Sequence, residues 1–390
     1  MRAPAVTPVP PLARTPQDWT EALKPIGGRG FHAGQVFRWV HGRGVLDPER
    51  MTDLPRGLRA ALAELEMPRT LEVAEERRAA DGTRKLLVRM RDGATVECVL
   101  IPGVTGPRGQ LPSPVGSMEE GDDDEDDGAA DMTGEPIRVT QCISTQVGCA
   151  QGCVFCASGV AGLKRHLGAD EIVAQVLAGR SRLDATERLS NVVYMGMGEP
   201  LANYDATARS LQLLTHPDGV ALSTRRITVS TSGLVPEIAR LGADFGGKIG
   251  LAVSLHAADD ETRSRLMPIN KKYPLAALMG ALRAYPLPPR RRITIEYTLV
   301  SGRNDGAEEA RKLARLLRGL PVKVNLIPMN PIAASPLGPP EMSGVLAFQR
   351  VLCDAGYSCF IRRRRGDDVA AACGQLALLG AKPKVRVNRA

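Results

Sequence analysis

The sequence predicts an α/β protein whose main domain is a partial barrel of six strand–helix units. The first observation is that strand-like apolar runs alternate with amphipathic helical segments from residue 137 onward. The second is that the N-terminal region lacks this alternation and predicts a helical module followed by a small β region. Successive βα units form a parallel sheet with helices outside. The predicted strands lie near 137–144, 191–197, 225–231, 248–255, 291–300 and 321–328, and the predicted helices near 169–183, 204–215, 234–242, 274–285, 306–318 and 342–355.

Composition changes divide the chain into four predicted regions. Residues 1–14 are rich in proline and predict a disordered tail, and residues 103–136 are rich in Gly, Pro and acids and predict a disordered insertion. Between them, 15–102 predict an N-terminal accessory domain, and 137–390 predict the barrel with a C-terminal segment that contains Cys373. The accessory domain has predicted helices at 16–23, 33–41 and 54–65 and strands at 71–74, 84–90 and 94–101, with a hairpin turn at Asp92 and Gly93.

The composition restricts the compartment and the partner. Eight cysteines spread over 390 residues, without a charged-then-apolar N-terminal stretch, predict a reduced cytoplasm and argue against secretion. No apolar run approaches the length of a membrane span, so we expect no membrane association. Residues 118–135 contain ten acids and no Lys or Arg, so the rest of the chain is more basic than the net charge of +8. This charge favours a polyanionic partner such as nucleic acid.

Three cysteines form a Cys-x3-Cys-x2-Cys motif directly after the first predicted barrel strand. We call residues 148–156, which contain Cys149, Cys153 and Cys156, the cluster loop. Three thiolates on one loop can bind three irons of a [4Fe–4S] cube and leave the fourth iron open for S-adenosylmethionine (SAM). A zinc loop, a closed ferredoxin cluster or a disulfide set are the alternatives. Zinc sites usually pair two hairpins and a closed cluster needs a fourth nearby cysteine, so the motif indicates a radical-SAM enzyme.

Polar residues also follow the other predicted strands, at the edge where parallel sheets place their chemistry. A glycine-rich turn at 195–200 contains Glu199, whose carboxylate could accept hydrogen bonds from the ammonium of a bound amino acid. The segments 230–233, 254–256 and 328–331 lie at later strand ends. Each could be ordinary turn chemistry, but their common position predicts that they line a ligand site.

Taken together, several strings resemble the RlmN/Cfr family of radical-SAM RNA adenosine methyltransferases. The resemblance covers the chain from about residue 16, except for the acidic insertion, and rests on residues 148–156, 195–200, 227–233, 254–257, 268–273, 294–297, 325–328 and 366–376. It implies a [4Fe–4S] cluster on the cluster loop, two molecules of SAM per turnover, a methylated Cys373, a resolving Cys142 and a base at Glu97. It also implies SAM contacts at Gly198, Glu199, Ser230, Ser254, Leu255, His256 and Asn330.

The implied chemistry explains why two lone cysteines are needed. Adenine carbons C2 and C8 are poor nucleophiles, so a radical must form the new bond, and a thiolate can hold the methyl group between the two uses of SAM. Cys373 is the candidate carrier, and Cys142 would release the product by forming a disulfide with it. Without the resemblance both would be interpreted as small buried residues. Cys142 shares strand parity with Arg138 and Thr140, which predicts that it faces the site.

The same resemblance implies the substrate and partners. Strings at 294–297 and 365–368 favour the C2-specific type, which acts on 23S rRNA and on the tRNA adenosine beside the anticodon, whereas 159–167 are closer to the C8-specific resistance type. We expect C2 specificity, a flavodoxin or ferredoxin as electron donor, and a monomer. The arginines at 362–365 are expected to bind RNA phosphates. The alternatives are a radical-SAM activase, which would need neither Cys142 nor Cys373, and a non-enzymatic iron–sulfur RNA-binding module.

Overall fold

The structure, a computed structural model, describes residues 9–65, 67, 69–103, 136–333, 335–362 and 364–376. The predicted acidic insertion therefore lies outside the described residues except at its two ends, as does most of the predicted tail. The α-helices are α1 Pro16–Leu23, α2 Gly30–Phe37, α3 Arg56–Glu64, α4 Ala157–Ala161, α5 Ala169–Arg180, α6 Tyr204–Thr215, α7 Val235–Phe245, α8 Asp260–Leu266, α9 Leu275–Ala284, α10 Ala307–Leu316 and α11 Met342–Asp354. The β-strands are β1 Leu71–Arg78, β2 Arg84–Met90, β3 Thr95–Pro102, β4 Ile137–Cys142, β5 Gln146–Val147, β6 Arg165–His166, β7 Glu187–Tyr194, β8 Ile227–Thr231, β9 Gly250–Ser254, β10 Ile293–Leu299, β11 Val322–Pro328 and β12 Ser358–Ile361.

One ten-stranded sheet organises the molecule, in the order β1-β2-β3-β4-β7-β8-β9-β10-β11-β12. The strands from β4 through β12 in this order are all parallel, so the predicted α/β barrel of six βα units is confirmed. The described sheet ends at β1 and β12, which makes the barrel partial. Strand β12 was not predicted from the sequence, because a strand of four residues is too short to show an alternating pattern.

The small β region is continuous with the barrel sheet. Strand β3 pairs with β4 in antiparallel orientation, with Val99 opposite Cys142 and Pro102 opposite Val139. The Asp92–Gly93 turn joins β2 to β3 as predicted, and Gly93 has the positive φ of 79° that this turn requires. The predicted boundary after residue 102 therefore divides the sequence without dividing the sheet, and it places β1 to β3 beside the strand that contains Cys142.

The N-terminal helical module begins at a capping box. The Thr15 side chain accepts a hydrogen bond from the Asp18 backbone N–H, while Asp18 accepts one from the Thr15 N–H, and Pro16 occupies the first helical position. Residues 9–14 differ from the disordered tail that the sequence analysis predicted. They contain a 3-10 turn in which Leu12 is buried, and Arg209 of α6 donates a hydrogen bond to the Ala13 carbonyl. Burial of Leu12 against the barrel stabilises a segment whose proline content alone suggested disorder.

The outer helices bury one face each against the sheet. Helix α10, for example, buries Ala310 and Leu313, whereas Glu308, Arg311 and Arg315 lie on its exposed face. Because the helices cover the outside, the loops after the strands meet at the C-terminal edge of the sheet. Among the residues that the structure describes, no helix is long and apolar enough to span a membrane.

Candidate active site

The cluster loop connects β5 to α4 and is largely buried. Cys149 and Cys153 are 7% and 9% exposed, and Cys156 is half-buried. The Cys149 N–H donates to the Gly162 carbonyl at 3.3 Å, and the Cys156 N–H donates to the Cys153 carbonyl at 3.2 Å. A Cβ at Gly159 would lie 2.9 Å from the Cys153 nitrogen, so α4 approaches the loop as closely as a glycine allows. These contacts hold the three thiols on one compact turn.

Burial determines the protonation state of the three thiols. Burial, with a smaller contribution from neighbouring thiols, raises the pKa of Cys149 to about 12 and raises that of Cys153 well above its ordinary value. Burial also raises the pKa of Cys156. Without a metal the thiols stay protonated, whereas a bound iron would deprotonate them. Within the described ranges no group of three His, Cys, Asp or Glu is placed to hold a single ion. A [4Fe–4S] cube would bind each thiolate through a different iron, so its three ligands do not need to converge on one point. The three cysteines would therefore hold a cube.

Glu199 lies directly after β7 and is held by backbone groups. Its Oε2 accepts from the Ser232 N–H at 2.7 Å and its Oε1 from the Leu201 N–H at 3.1 Å. Each carboxylate oxygen can still accept a further bond, as the predicted ammonium contact requires. Burial raises the pKa of Glu199 above its ordinary value. Gly198 precedes it with a φ of 106°, and a Cβ there would lie 2.6 Å from the Gln146 Cβ, so both conformation and packing require glycine.

His256 occupies a strained position after β9 and is neutral. Its φ is 57°, and its Nδ1 accepts a hydrogen bond from the Thr298 N–H at 2.8 Å. Asn304 donates to the His256 carbonyl at 2.7 Å, and the Phe155 ring of the cluster loop packs edge-on at 4.7 Å. Burial, assisted by the charge of Arg263, lowers the pKa of His256 to about 3. The imidazole therefore carries its proton on Nε2 and presents a hydrogen-bond donor there.

Arg263 of α8 is fully buried and joins the loops that contain the predicted SAM contacts. Its Nε donates to the Leu255 carbonyl at 3.0 Å, and its Nη2 donates to the carbonyls of Ser232 at 2.7 Å and Ser254 at 3.2 Å. Its Nη1 donates to Asn270 Oδ1 at 2.9 Å. Burial lowers the pKa of Arg263 to about 10, so it remains charged at neutral pH. The sequence analysis missed this residue because arginine is rarely buried.

The C-terminal segment places Cys373 against the cluster loop. Asn330 Nδ2 donates to the Cys373 carbonyl at 2.9 Å, and the Ala157 N–H donates to the Gly374 carbonyl at 2.8 Å. The Cys373 thiol contributes to the raised pKa of Cys156, so these two side chains lie within electrostatic range. Asn330 Oδ1 is buried without a hydrogen-bond partner in the described part of the chain. Such an orphaned acceptor fits a polar ligand at this position.

Cys142 and Glu97 lie on neighbouring strands beside this segment. Cys142 ends β4 and is 7% exposed, and its pKa is raised to about 12 by burial and then by the Cys373 thiol. Glu97 of β3 forms a largely buried ion pair with Lys85, in which Nζ and Oε1 are 3.0 Å apart. The Ser144 hydroxyl donates to the Glu97 carbonyl at 2.6 Å. Lys85 also donates to the Ala370 carbonyl, so Glu97 is linked through it to the segment that contains Cys373, while the chemical roles of Cys142 and Glu97 stay predictions.

Ser230 is half-buried on β8, where its backbone pairs with Ala252 of β9.

A cluster of polar side chains to which the sequence assigned no role lies on β10 and β11. Asn325 Nδ2 donates to Glu296 Oε1 at 3.1 Å, and Arg362 Nη1 lies 3.9 Å from Glu296 Oε2. The Arg362 guanidinium thus lies near a buried carboxylate, and its contact with RNA phosphate stays a prediction.

Two other described arginines of the run 362–365 also contact protein groups. Arg364 Nη2 donates to the Met329 carbonyl at 3.2 Å, and Arg365 Nη1 lies 3.9 Å from Asp81 Oδ2. Part of the positive charge in this run therefore orders the C-terminal segment, and its role in binding phosphate stays a prediction.

Comparison with known proteins agrees with this geometry. A model of the radical SAM superfamily matches residues 143–317, and a model of the ribosomal RNA large subunit methyltransferase N-terminal domain matches residues 13–67. A dual-specificity RNA methyltransferase RlmN from Sorangium cellulosum is 68% identical over 97% of this chain and 98% of its own length. One from Syntrophobacter fumaroxidans is 44% identical over 92% and 94%. The crystal structure of a radical SAM methyltransferase from Sphaerobacter thermophilus matches with a TM-score of 0.82, 41% identity and coverage of 95% and 99%.

Proposed function

The chain belongs to the RlmN family of radical-SAM RNA methyltransferases, and we propose that it transfers a methyl group to adenosine through Cys373. The acceptor atom is C2 of an adenosine in 23S rRNA, and the tRNA adenosine beside the anticodon is the second substrate. The enzyme uses a [4Fe–4S] cluster and two molecules of SAM in each turnover. Both sequence-based alternatives, the activase and the non-enzymatic module, would leave the two lone cysteines without a purpose.

One observation supports the proposed roles most directly. The Cys373 carbonyl accepts from Asn330 Nδ2 at 2.9 Å, and the adjacent Gly374 carbonyl accepts from the Ala157 N–H at 2.8 Å, so Cys373 lies beside the end of the cluster loop. The Cys373 thiol also contributes to the raised pKa of Cys142 at the end of β4. A methyl carrier must meet the SAM that binds at the cluster, and it must also meet the thiol that later displaces the product. A position beside the cluster loop and near Cys142 supports both proposed roles of Cys373.

The chemistry divides between the bound groups and the residues of the chain. A bound cluster and two bound SAM molecules would supply a methyl group and a radical able to remove a hydrogen atom from that methyl group. Cys373 holds the carbon as a thioether while the carbon bonds to the adenine ring. Glu97 is the proposed base that takes the ring proton, and the ring gives one electron back to the flavodoxin or ferredoxin chain that supplied the first. The Cys142 thiolate then attacks the Cys373 sulfur, so that a disulfide forms and the carbon leaves with the base and gains a proton. Two electrons from a thiol reductant restore the pair.

Two substitutions separate the proposed roles of the lone cysteines. Cys373→Ala removes the carrier and should give neither methylated RNA nor a covalent adduct. Cys142→Ala should allow addition to adenine and then stop with RNA joined to Cys373, which a denaturing gel would show as a retarded protein band. Cys98→Ala is a matched control, because Cys98 is equally buried on the neighbouring strand β3. Free methylated RNA formed at the normal rate by Cys142→Ala, without cross-linked species, would return Cys142 to a structural role.

The acceptor carbon and the partners need separate measurements. Mass spectrometry of RNA digests after anaerobic reaction distinguishes C2 from C8 methylation and tests rRNA and tRNA separately. We also propose a flavodoxin or ferredoxin as electron donor, a monomeric enzyme and a cytoplasmic location. Reduction assays with each donor and light scattering of the purified protein test the first two.

A further inference from the structure

We propose that the turn between β1 and β2 positions Cys373 for methyl transfer, an inference that rests on the proposed carrier role of Cys373. The hairpin clamp consists of Ala80, Asp81, Thr83 and Lys85. The carrier loop consists of residues 364–376, which contain Cys373 and little regular structure beyond one 3-10 turn. Although more than 200 residues separate them in sequence, the hairpin clamp contacts the carrier loop through four residues.

The first set of contacts involves Asp81 and its neighbour. Asp81 Oδ2 accepts a hydrogen bond from the Gly366 N–H at 3.1 Å and lies 3.9 Å from Arg365 Nη1. In the opposite direction, the Ala80 N–H donates to Asp368 Oδ2 at 3.0 Å. The carboxylates of the two segments thus bind each other's backbone, which fixes both distance and orientation.

The second contact is close packing at Gly366, which has a φ of 63°. A Cβ at this position would lie 2.9 Å from Thr83 Cγ2 and 2.7 Å from Ala371 Cβ. The carrier loop therefore approaches the hairpin as closely as the absence of a side chain permits.

The third contact connects the carrier loop to the proposed base. Lys85 Nζ donates to the Ala370 carbonyl at 3.2 Å and lies 3.0 Å from Glu97 Oε1. One ammonium therefore holds both the candidate base and a backbone group three residues before Cys373. A change in the position of this lysine would move both groups relative to the cluster.

Cys373 is consequently held from two sides. The hairpin clamp fixes the loop before it, and the first residue of α4, directly after the cluster loop, fixes the residue after it through the bond from the Ala157 N–H to the Gly374 carbonyl. Ala370 and Gly374, on either side of Cys373, both have left-handed backbone conformations, with φ of 50° and 82°. Because reaction rates depend steeply on the placement of reacting atoms, release of one side should displace the thiol and slow transfer about tenfold or more.

The test compares Asp81→Ala with Asp92→Ala. Asp92 is a matched control, because it caps the next hairpin turn by accepting from the Ala94 N–H at 3.0 Å and also pairs with Arg165. Among the contacts that the structure describes, Asp92 has none with the carrier loop. We expect Asp81→Ala to keep its iron–sulfur chromophore and its reductive SAM cleavage within about twofold, while the methylated RNA formed per 5′-deoxyadenosine falls at least tenfold. Asp92→Ala should keep the normal ratio. An unchanged ratio in Asp81→Ala overturns the proposal.

Hydrogen exchange of the metal-free protein gives an independent readout. Asp81→Ala should accelerate exchange of the Gly366 amide, and normal protection there would contradict the hairpin clamp. If Asp81→Ala loses its cluster, Asp368→Ala is the alternative variant, because Asp368 is exposed and its substitution removes only the hydrogen bond from the Ala80 N–H. It should show the same fall in methylated RNA per 5′-deoxyadenosine. Failure of the proposed function can be told apart from failure of the hairpin clamp. In the first case wild-type protein makes no methylated RNA, but faster exchange of the Gly366 amide in Asp81→Ala still supports the hairpin clamp.

Discussion

Replacement of Arg263 by Met should destabilise the protein and weaken SAM binding. The substitution removes a buried cation that donates to Leu255, Ser232, Ser254 and Asn270, and it deprives those acceptors of this donor. Each unsatisfied buried acceptor costs about 1–3 kcal/mol. The variant no longer has to bury a charged guanidinium, and this gain offsets part of the total cost. Four lost hydrogen bonds, partly compensated by that gain, give an expected loss of about 3–5 kcal/mol.

This loss corresponds to a measurable shift in melting temperature. An unfolding entropy of about 2.1 cal/mol/K per residue gives about 0.8 kcal/mol/K for a chain of 390 residues, so about 3–5 kcal/mol lowers Tm by about 4–6 °C. Differential scanning fluorimetry of the metal-free protein under anaerobic conditions would measure it. Arg265→Met is the control, because Arg265 lies on the same helix with 69% of its side chain exposed and pairs only with Glu261 among the described residues.

The reasoning also predicts an effect on the ligand. Ser254 and Leu255 are predicted SAM contacts whose carbonyls Arg263 holds, so the substitution should raise the Kd for SAM in the cluster-loaded enzyme. Arg263→Lys should recover part of the stability, since an ammonium keeps the charge but lacks the planar fork. A Tm for Arg263→Met within 1 °C of the Arg265→Met control would refute the assignment of Arg263 as the link between these loops.

Three further predictions concern the thiols, pH and a glycine. Replacing any one cysteine of the cluster loop by Ala should abolish the iron–sulfur chromophore and SAM cleavage, and cleavage by such a variant would contradict the radical-SAM site. Burial lowers the pKa of His41 from 6.5 to about 4, so the unfolded chain binds a proton that the folded chain excludes. Stability should therefore fall by roughly 3 kcal/mol as pH decreases from about 6.5 to 4, and His41→Gln should flatten this dependence in urea titrations. Gly198→Ala should displace Gln146 and weaken SAM binding at least tenfold by equilibrium dialysis, whereas Gly280→Ala, with open space around it, should bind normally.

Features that depend on local pattern could be predicted from the order of residues alone. The six βα units were predictable because apolar residues repeat with the period of a strand or a helix. The metal-binding turn was predictable because Cys149, Cys153 and Cys156 lie within one loop, so their proximity follows from spacing alone. The Asp92–Gly93 turn was predictable for the same reason, since its conformation depends on two adjacent residues.

Tertiary structure decided the features that depend on contacts between distant segments. Burial of Leu12 overturned the tail prediction for residues 9–14, because the apolar surface that covers it belongs to the barrel. The burial of Arg263 had no local sign, since its acceptors are backbone carbonyls supplied by other loops. Likewise, no pattern along the chain indicates that Asp81 meets Gly366, because strand pairing and packing bring those backbones together only once the sheet has formed. Local spacing thus fixed which chemistry is present, and the folded sheet fixed which residues hold that chemistry in place.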